Sequence, residues 1–291
     1  MARETHSSEL PGEIVVATDF SPSSVAALHV AARLAQALET KVTILHVFEY
    51  VVRHAYKVPV DWMVGEIRKD LVKKLGEIER TLRASGIDAA IMIRDGLPTE
   101  EIPSFLKLFS KPLLVVGTHA VSGVDRYLLG STAEEVLRTV SCPVITVGPH
   151  AWSPAASDPR LYKILFATDF STASLGAIPF LAALCLATSA TLRVAHVAGD
   201  STLDSEISAR FTPIIDTLRQ NSIGNANIEL ECVVLRGSSV SKALVCETER
   251  SEADLLVLGV KHASSIAAHL SPKVAFQTIA AASCPVLTVS S

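Results

Sequence analysis

The sequence predicts an α/β fold in which parallel strands form a sheet that helices cover on both faces. Short apolar runs alternate with longer segments of helical spacing through most of the chain. The apolar runs are nearly continuous in hydrophobic residues, as strands are when both faces of a parallel sheet are buried. The same order of elements then starts again in the second half. The chain therefore reads as two tandem copies of a five-stranded unit.

The elements of the first half follow from its apolar periodicity. Strands are predicted at 13–18, 41–48, 88–96, 111–117 and 144–147. Alanine-rich helical spacing continues from the first strand to about Leu38, and apolar residues recur every three or four positions from Met63 to Leu82. Gly86 is placed to end that second helix. A further helix starts near Pro98, and a short amphipathic helix precedes the last strand.

The second half repeats these landmarks in the same order. FATDFS at 166–171 matches VATDFS at 16–21, AHV at 195–197 matches LHV at 45–47, ADLLVLG at 253–259 matches KPLLVVG at 111–117, and SCPVLTV at 283–289 matches SCPVITV at 141–147. The offset falls from 150 to 142 residues, so the second copy is shorter between its second and third strands. A segment rich in Pro, Ser and Ala at 150–160 predicts a linker between a domain at 1–149 and a domain at 161–291.

Composition and charge exclude several classes of protein. The 291 residues carry a formal net charge of -4, and lysine and arginine are spread among acidic residues, so nucleic-acid binding is not expected. The apolar run 175–187 is too short to cross a bilayer and predicts one buried helix. The polar N-terminus lacks the apolar segment of a secretion signal, which favours the cytoplasm. The five cysteines show no C-x-x-C spacing, so we expect buried reduced thiols.

The stretch 111–147 holds the candidate functional motif. A strand ends on Gly117, a loop follows, and Gly130 and Ser131 open a helix. Such a junction places unpaired backbone N–H groups and the positive end of a helix around one point. The motif alone therefore predicts a weakly specified site for an anion such as phosphate.

Several of these motifs together resemble the universal stress protein family. They are ATDFS after the first strand, LHV in the second, the loop GTHAVSGVDRYLLGS and SCPV before the last strand. The resemblance covers nearly the whole chain and implies a tandem two-domain member. It implies a Rossmann-like fold of the adenine nucleotide alpha hydrolase type, with the two domains packed as a pseudo-dimer. It also implies that some members hold ATP, whereas members without the loop signature do not.

The resemblance carries over to particular residues of the first copy. It implies that Gly117, the position of Ala120, and the pair Gly130 and Ser131 form the phosphate loop, where Ala120 replaces the family's second glycine. The added methyl group resists a left-handed conformation and crowds a ligand. The same resemblance places Ala17, Thr18 and Asp19 at the adenosine end and Val47 beside the base, and the candidate set is completed by Thr118 and Thr132. ATP, with or without magnesium, is the leading ligand, for the first domain only.

Some of these residues have a second interpretation. Asp19 either accepts hydrogen bonds from the nucleoside or caps the following helix. His46, inside a strand, reads as a packed core residue rather than a ligand or catalyst. In the loop, His119, Asp125 and Arg126 are the groups able to assist phosphate chemistry, although a loop arginine is more often solvated.

The second copy has lost the loop signature. His262 replaces the second glycine, and Pro272 with Lys273 replaces the closing pair. Proline suits a first helical turn but removes an N–H that a phosphate would need. The second domain is therefore interpreted as a structural partner that seals the exposed surface of the first.

Three classes of function remain open. A nucleotide-binding regulatory protein of the stress response is favoured, with an unidentified protein partner. A stress scaffold or interaction protein without nucleotide is a close alternative, supported by Ala120. A slow ATPase is the weakest, because the sequence has no Walker-type motif and no identifiable base. Homodimerisation beyond the internal pairing is left open.

Overall fold

The computed structural model describes residues 9–49, 60–118, 130–151, 161, 163–199, 204–221, 228–260 and 272–290. The first half contains β1 Glu13–Ala17, α1 Pro22–Leu38, β2 Val42–Phe48, α2 Val60–Ala84, β3 Ala89–Asp95, α3 Pro98–Leu106, β4 Pro112–Gly117, α4 Ser131–Thr139 and β5 Val144–Val147. The second half contains β6 Lys163–Ala167, α5 Thr172–Gly176, α6 Ile178–Thr188, β7 Thr191–Ala198, α7 Asp204–Asn221, β8 Leu230–Arg236, α8 Val240–Ser251, β9 Leu255–Val260, α9 Pro272–Ala281 and β10 Val286–Ser290.

The described strands form one ten-stranded sheet in the order β3-β2-β1-β4-β5-β10-β9-β6-β7-β8. All neighbours within each half are parallel, whereas β5 and β10 pair antiparallel, with Ile145 opposite Leu287. The predicted α/β class with two five-stranded parallel units is confirmed. The structure adds that the two units share one continuous sheet. Because of the antiparallel junction, the carboxyl ends of the strands point to opposite edges in the two halves.

Contacts across this junction hold the two halves together. The Ser290 hydroxyl donates to the Ser141 carbonyl at 2.7 Å, and the guanidinium carbon of Arg138 lies 4.9 Å from the centre of the Phe276 ring. A Cβ on Gly148 would lie only 2.8 Å from the carbonyl oxygen of Ile279 in α9, so this glycine permits close packing. One buried apolar cluster includes residues of α1 and α6. The halves therefore share a core as well as a sheet.

The predicted single helix at 175–187 is wrong in one respect. The chain forms two helices, α5 and α6, which meet at Ala177. Pro179 lies in the first turn of α6. A proline is tolerated there because first-turn N–H groups have no intrahelical acceptor, whereas within a longer helix it would remove a hydrogen bond. The proline therefore marks a new start rather than the interior of one helix.

The helices and the cysteines can be compared with what the sequence predicted about membrane spans and thiol burial. Among the described helices, none combines the length and apolar character needed to cross a membrane. The five cysteines are free thiols, as expected, but only Cys185 and Cys284 are buried: Cys142 and Cys232 are half-buried, and Cys246 is exposed. Burial raises the pKa of Cys185 and Cys284 to about 12, so both thiols stay protonated at neutral pH.

Candidate functional site

A cleft lies where β1, β2 and β4 end and α4 begins, and its volume is about 260 Å³. Carboxyl ends of strands in an open α/β sheet are where ligands bind in this architecture. Nine of the ten predicted site residues line the cleft: Ala17, Thr18, Asp19, Val47, Gly117, Thr118, Gly130, Ser131 and Thr132. Ala120, the tenth, lies outside the described residues. The structure thus brings these nine residues together around one cleft, and the role of the cleft in ligand binding stays a prediction.

The cleft also has an apolar wall that the sequence did not reveal. Leu45 of β2, Pro98 and Ile102 of α3 and Val136 of α4 contribute to it beside Val47. Periodicity shows that each helix has a buried face, but it does not show which strand ends that face covers. These side chains suit the flat apolar surface of an aromatic ring.

The turn after β1 is fixed by its own polar side chains. The Thr18 hydroxyl accepts from the backbone N–H of Phe20 at 3.1 Å and lies 3.0 Å from the Ser24 hydroxyl. Phe20 has a φ angle of 63°, a left-handed conformation that is uncommon for a bulky residue. The hydrogen bonds of Thr18 stabilise this turn, which brings Asp19 to the mouth of the cleft.

Asp19 is not the cap of the following helix, so that alternative is wrong. The N-cap of α1 is Ser21, whose hydroxyl accepts from the backbone N–H of Ser24 at 3.3 Å. Asp19 instead accepts from the Ser21 N–H at 3.0 Å and from the Ser21 hydroxyl through Oδ1. A side-chain bond to the N–H two residues on is a local turn that holds the carboxylate in place. Its exposed position leaves it accessible from the cleft.

His46 is a structural residue, in agreement with its interpretation as a core histidine. Its Nδ1 lies 2.8 Å from the Thr18 carbonyl oxygen, which can only accept, so Nδ1 carries the proton and donates. The ring packs 5.0 Å from the Phe20 ring, measured between centroids. His196 makes the same 2.8 Å bond to Thr168 in the second copy. The histidine therefore fixes the strand-one turn in both halves.

Gly117 is required by helix packing. A Cβ at this position would lie 2.3 Å from the carbonyl carbon of Ser23 and 2.6 Å from the N atom of Ser24, both at the start of α1. Gly259 stands in the same relation to α5, because its Cβ would lie 2.3 Å from the Cα of Ser174. The sequence suggested that Gly117 serves ligand binding. The shared clash shows that this glycine does not distinguish the two copies.

Thr118 carries a buried polar group without a partner among the described residues. Its side chain is 2 % exposed, and its N–H donates to the Val147 carbonyl at 2.9 Å. No described atom bonds its hydroxyl. Buried hydroxyls are nearly always hydrogen-bonded, so an orphaned one that lines a cleft indicates a place for a polar ligand atom.

The start of α4 supplies backbone donors beside Thr118. Gly130 is the N-cap, with φ -58° and ψ 139°, and its carbonyl accepts from the Glu134 N–H at 3.0 Å. The N–H groups of Ser131, Thr132 and Ala133 precede this first helical bond and have no acceptor within the helix. They lie at the positive end of the helix dipole. This corner of the cleft therefore favours negative charge.

The described lining contains no lysine or arginine, and Asp19 is its charged side chain. The donors that these described residues offer to an anion are backbone N–H groups and hydroxyls. The predicted loop groups His119, Asp125 and Arg126 lie outside the described residues. Within the part of the chain that the structure describes, no group of three or more His, Cys, Asp or Glu residues is arranged to hold a metal ion.

The corresponding cleft of the second copy is reduced to about 80 Å³. Val274 stands at the position of Thr132, so an apolar side chain replaces a hydroxyl in the lining, and Val240 stands at that of Pro98. Pro272 is the first residue of α9, as predicted. His262 and the side chain of Lys273 are outside the described part. Among the described residues, the second cleft is smaller than the first, and Val260 and Val274 stand where the first copy has the hydroxyls of Thr118 and Thr132.

Asp169 nevertheless keeps the turn of the second copy. It accepts from the Ser171 N–H at 2.9 Å. Burial would raise the pKa of this carboxyl, but hydrogen bonds from Ser171 and Ser174 outweigh burial and lower the pKa. The second copy thus keeps this turn although it has lost the Gly130–Ser131 pair that opens α4 in the first copy. The ATDFS motif therefore has a structural role that does not depend on ligand binding.

The duplicated parallel unit, with a cleft at the carboxyl edge of its first half, defines a tandem Rossmann-like α/β protein. Comparison with known families makes this specific: the model of the universal stress protein family matches residues 12–148 and again 161–290. The chain belongs to the universal stress protein family.

Individual relatives agree with this assignment. Universal stress protein YxiE of Bacillus subtilis is 29% identical over 148 residues, which is 46% of this chain and 97% of that protein. Universal stress protein MJ0531 of Methanocaldococcus jannaschii is 28% identical over 137 residues, 46% of this chain and 81% of that protein. The crystal structure of a universal stress protein from Archaeoglobus fulgidus DSM 4304 is similar over 96% of this chain and 98% of its own, with a TM-score of 0.77 and 20% identity. The last comparison shows the two-domain fold.

Proposed function

We propose that the protein is a regulatory member of its family that binds ATP in the first domain, with or without magnesium, in a stress response. The observation that carries the proposal is the pairing of two features in one cleft. The hydroxyl of Thr118, which has no partner among the described residues, and the N–H groups that have no acceptor within α4 lie at one side, and the apolar wall around Val47 and Ile102 lies at the other. A nucleotide has the matching division between a flat apolar base and a charged phosphate chain.

Each part of the ligand has residues of suitable chemistry. The base packs against Val47 and Ile102, and the ribose hydroxyls donate to the exposed carboxylate of Asp19. The phosphates accept from the N–H groups of Gly130, Ser131 and Thr132 and from the hydroxyls of Ser131 and Thr132. With no acidic cluster in the described lining, a magnesium ion would be held mainly by the phosphates themselves.

The second domain is proposed to contribute structure rather than a second site. Its cleft is smaller, and the residue equivalent to Gly130 is Pro272, which has no N–H. One nucleotide per chain is the expected stoichiometry.

The stress scaffold without nucleotide remains the second candidate. It is favoured by the lack of a cationic side chain in the described lining and by Ala120 in place of glycine. An ATPase is a weaker candidate, since the described lining offers no base beyond Asp19, which Ser21 already engages.

Calorimetric titration of ATP with magnesium distinguishes these candidates, after bound small molecules are released from protein purified without nucleotide. We expect one site, and we expect Gly130→Pro to abolish the heat. The φ of -58° at Gly130 is one that proline adopts, so the variant removes a donor without imposing a new backbone angle. Pro272→Gly is the matched control and should leave the stoichiometry at one. Absence of binding by the unmodified protein would favour the scaffold.

A second pair of variants tests the role of the orphaned hydroxyl. Thr118→Val keeps the shape and removes the hydroxyl, and we expect ATP affinity to fall about two- to tenfold, the value of one hydrogen bond. Thr146→Val is the matched control, because Thr146 also carries a buried hydroxyl without a described partner but lies in β5, outside the cleft lining. Equal effects of the two variants on affinity would place the ligand elsewhere.

An ATPase would require phosphate release that disappears in Gly130→Pro.

A further inference from the structure

The outer edge of β3 ends the sheet on the side of the first domain. β2 pairs with β3 on one side, and no described strand pairs with it on the other. At the start of the ladder to β2, the Asp88 carbonyl accepts from the Val42 N–H at 2.9 Å. Since alternate residues bond to the same neighbour, the even-numbered residues of β3 bond to β2, and the N–H and C=O groups of Ile91 and Ile93 face outward. Such an edge is a template for another strand.

The middle of this edge carries no charge, unlike the corresponding edge of the second domain. Residues 89–93 read AAIMI, and Met92 is 39 % exposed. At the far end of the sheet, β8 has Glu231 at the position of Ala90, and its carboxylate forms a 2.7 Å ion pair with Arg193. Proteins commonly protect edge strands with charged side chains. β8 therefore has a protection that the middle of β3 lacks.

One flank of helix α2 runs beside the β3 edge. Arg83 donates through Nε and Nη2 to the Ala89 carbonyl, at 3.0 and 2.7 Å. Ala89 is one of the outward-facing residues, so Arg83 lies on the outer side of the strand, at its start. Arg68 forms a 3.0 Å ion pair with Asp95 at the end of β3. The helix thus runs antiparallel to the strand and places charged groups at both ends of the edge.

Between these charged ends the flank of α2 is open. By helical spacing, Val72 and Gly76 lie on the same side of the helix as Arg68 and Arg83. Val72 is 49 % exposed, and a Cβ added to Gly76 would meet no atom within 4 Å outside the backbone of its own helix turns. Gly76 is midway between the two arginines, beside the middle of β3. The flank therefore leaves room for a second helix at this point.

The edge is complementary to itself when a second copy runs antiparallel. A two-fold axis through Met92 places Ile91 opposite Ile93 of the second copy, and both outward-facing residues then exchange N–H···O bonds with their opposite. The same axis places Asp95 opposite Ala89 of the second copy, beside the Arg83 that holds its carbonyl. Each end of the seam then combines the Arg68–Asp95 pair of one copy with the Glu79–Arg83 pair of the other, so the charges match.

We propose that two copies of the chain associate through β3, as an antiparallel pair that continues the sheet across a two-fold axis at Met92. The chain already uses this kind of junction internally, where β5 and β10 join two five-stranded units antiparallel. A two-fold interface of this kind closes on itself and ends at a dimer. The surface does not depend on ATP binding, because the cleft lining includes no residue of β3 or of α2.

Disulfide trapping tests both the surface and its register. Met92 bonds to β2, so its two copies form a non-hydrogen-bonded pair with Cα atoms about 4.5 Å apart, which a disulfide can span. Met92→Cys should therefore give a covalent dimer on oxidation, in a Cys246→Ser background that removes the exposed native thiol. Ala90→Cys is the matched control. Its two copies lie four residues apart along the seam, about 13 Å, and should not cross-link.

Sedimentation equilibrium measures the association without a cross-link. We expect the unmodified chain to form a dimer, and Met92→Lys to raise its dissociation constant about a hundredfold, because two like charges then meet at the axis. Val233→Lys, at the equivalent position of β8, is the matched control and should leave the dissociation constant unchanged. Thermal unfolding of each variant confirms that it is folded.

Several outcomes would overturn the proposal. The unmodified chain could stay monomeric, which is also the result expected if β3 pairs with a strand of a different protein. A dimer that persists in Met92→Lys would place the interface on another surface. Equal effects of Met92→Lys and Val233→Lys would indicate that β3 pairs with β8 in an open-ended assembly. Cross-linking of Ala90→Cys as fast as that of Met92→Cys would exclude the two-fold register.

Discussion

Gly117→Ala and Gly259→Ala are expected to destabilise the protein to a similar extent. The added Cβ would lie 2.3 Å from backbone atoms of Ser23 in one case and of Ser174 in the other. Carbon atoms in good contact are about 3.5–4.0 Å apart, so a strand end and a helix start must separate by about 1.2 Å or more. Neither partner is a flexible side chain that can rotate away.

The magnitude follows from the cost of overpacking. Such insertions cost about 1–3 kcal/mol, and in a chain of this size each kcal/mol lowers Tm by about 2–4 °C, so a fall of about 2–12 °C is expected. Circular dichroism on heating measures it. Gly12→Ala is the control, since no atom lies within 4 Å of its added Cβ and its φ is not left-handed. A stable Gly259→Ala, together with a Gly117→Ala variant that loses only ATP binding, would refute the packing explanation.

Three further predictions concern ionisable groups. Burial raises the pKa of Glu13 even though a hydrogen bond from Thr43 acts to lower it, so ionisation of this carboxyl reduces the stability of the folded state as pH rises. Glu13→Gln should therefore raise Tm at pH 7, and the gain should vanish below the ordinary pKa of 4.5, where the wild-type carboxyl is protonated in both states. Asp169 has the opposite sign, because hydrogen bonds from Ser171 overcome burial and lower its pKa. Asp169→Asn should therefore lower Tm at neutral pH, and the difference should shrink as acid protonates the wild-type carboxyl. In the native protein a thiol reagent should label Cys246 fastest, since it is the exposed thiol, and Cys246→Ser should remove that fast phase. Equal labelling rates for all five thiols, or stability differences that ignore pH, would contradict these assignments.

Most of the fold could be predicted because its signals are local and repeated. Apolar runs placed all five strands of the first half to within about two residues of their ends, and the repeated ATDFS and SCPV motifs indicated the duplication. The antiparallel pairing of β5 with β10 was not predicted. A run such as VITV is apolar whether its outer neighbour is a helix, solvent or another strand, so its pattern does not name its partner.

The candidate site was predicted in its members but not in their individual roles. The family resemblance brought Asp19 and Ser131 into one candidate set with Thr118, and the structure places all three around one cleft. The packing role of Gly117 could not be read from sequence, because a ligand loop and a close helix contact both call for glycine. The apolar wall from Ile102 depended on how α3 lies on the sheet, which is tertiary information.

The strand pair at the centre of the sheet gives a physical reason for one of the likenesses between the two copies. SCPVITV and SCPVLTV feed β5 and β10, and each strand is the other's hydrogen-bonding neighbour. A change in either segment therefore affects strands of both halves at once. Because the two copies meet strand to strand, each SCPV segment has to fit its counterpart as well as its own domain, a constraint that a single-domain chain would meet only by forming a dimer.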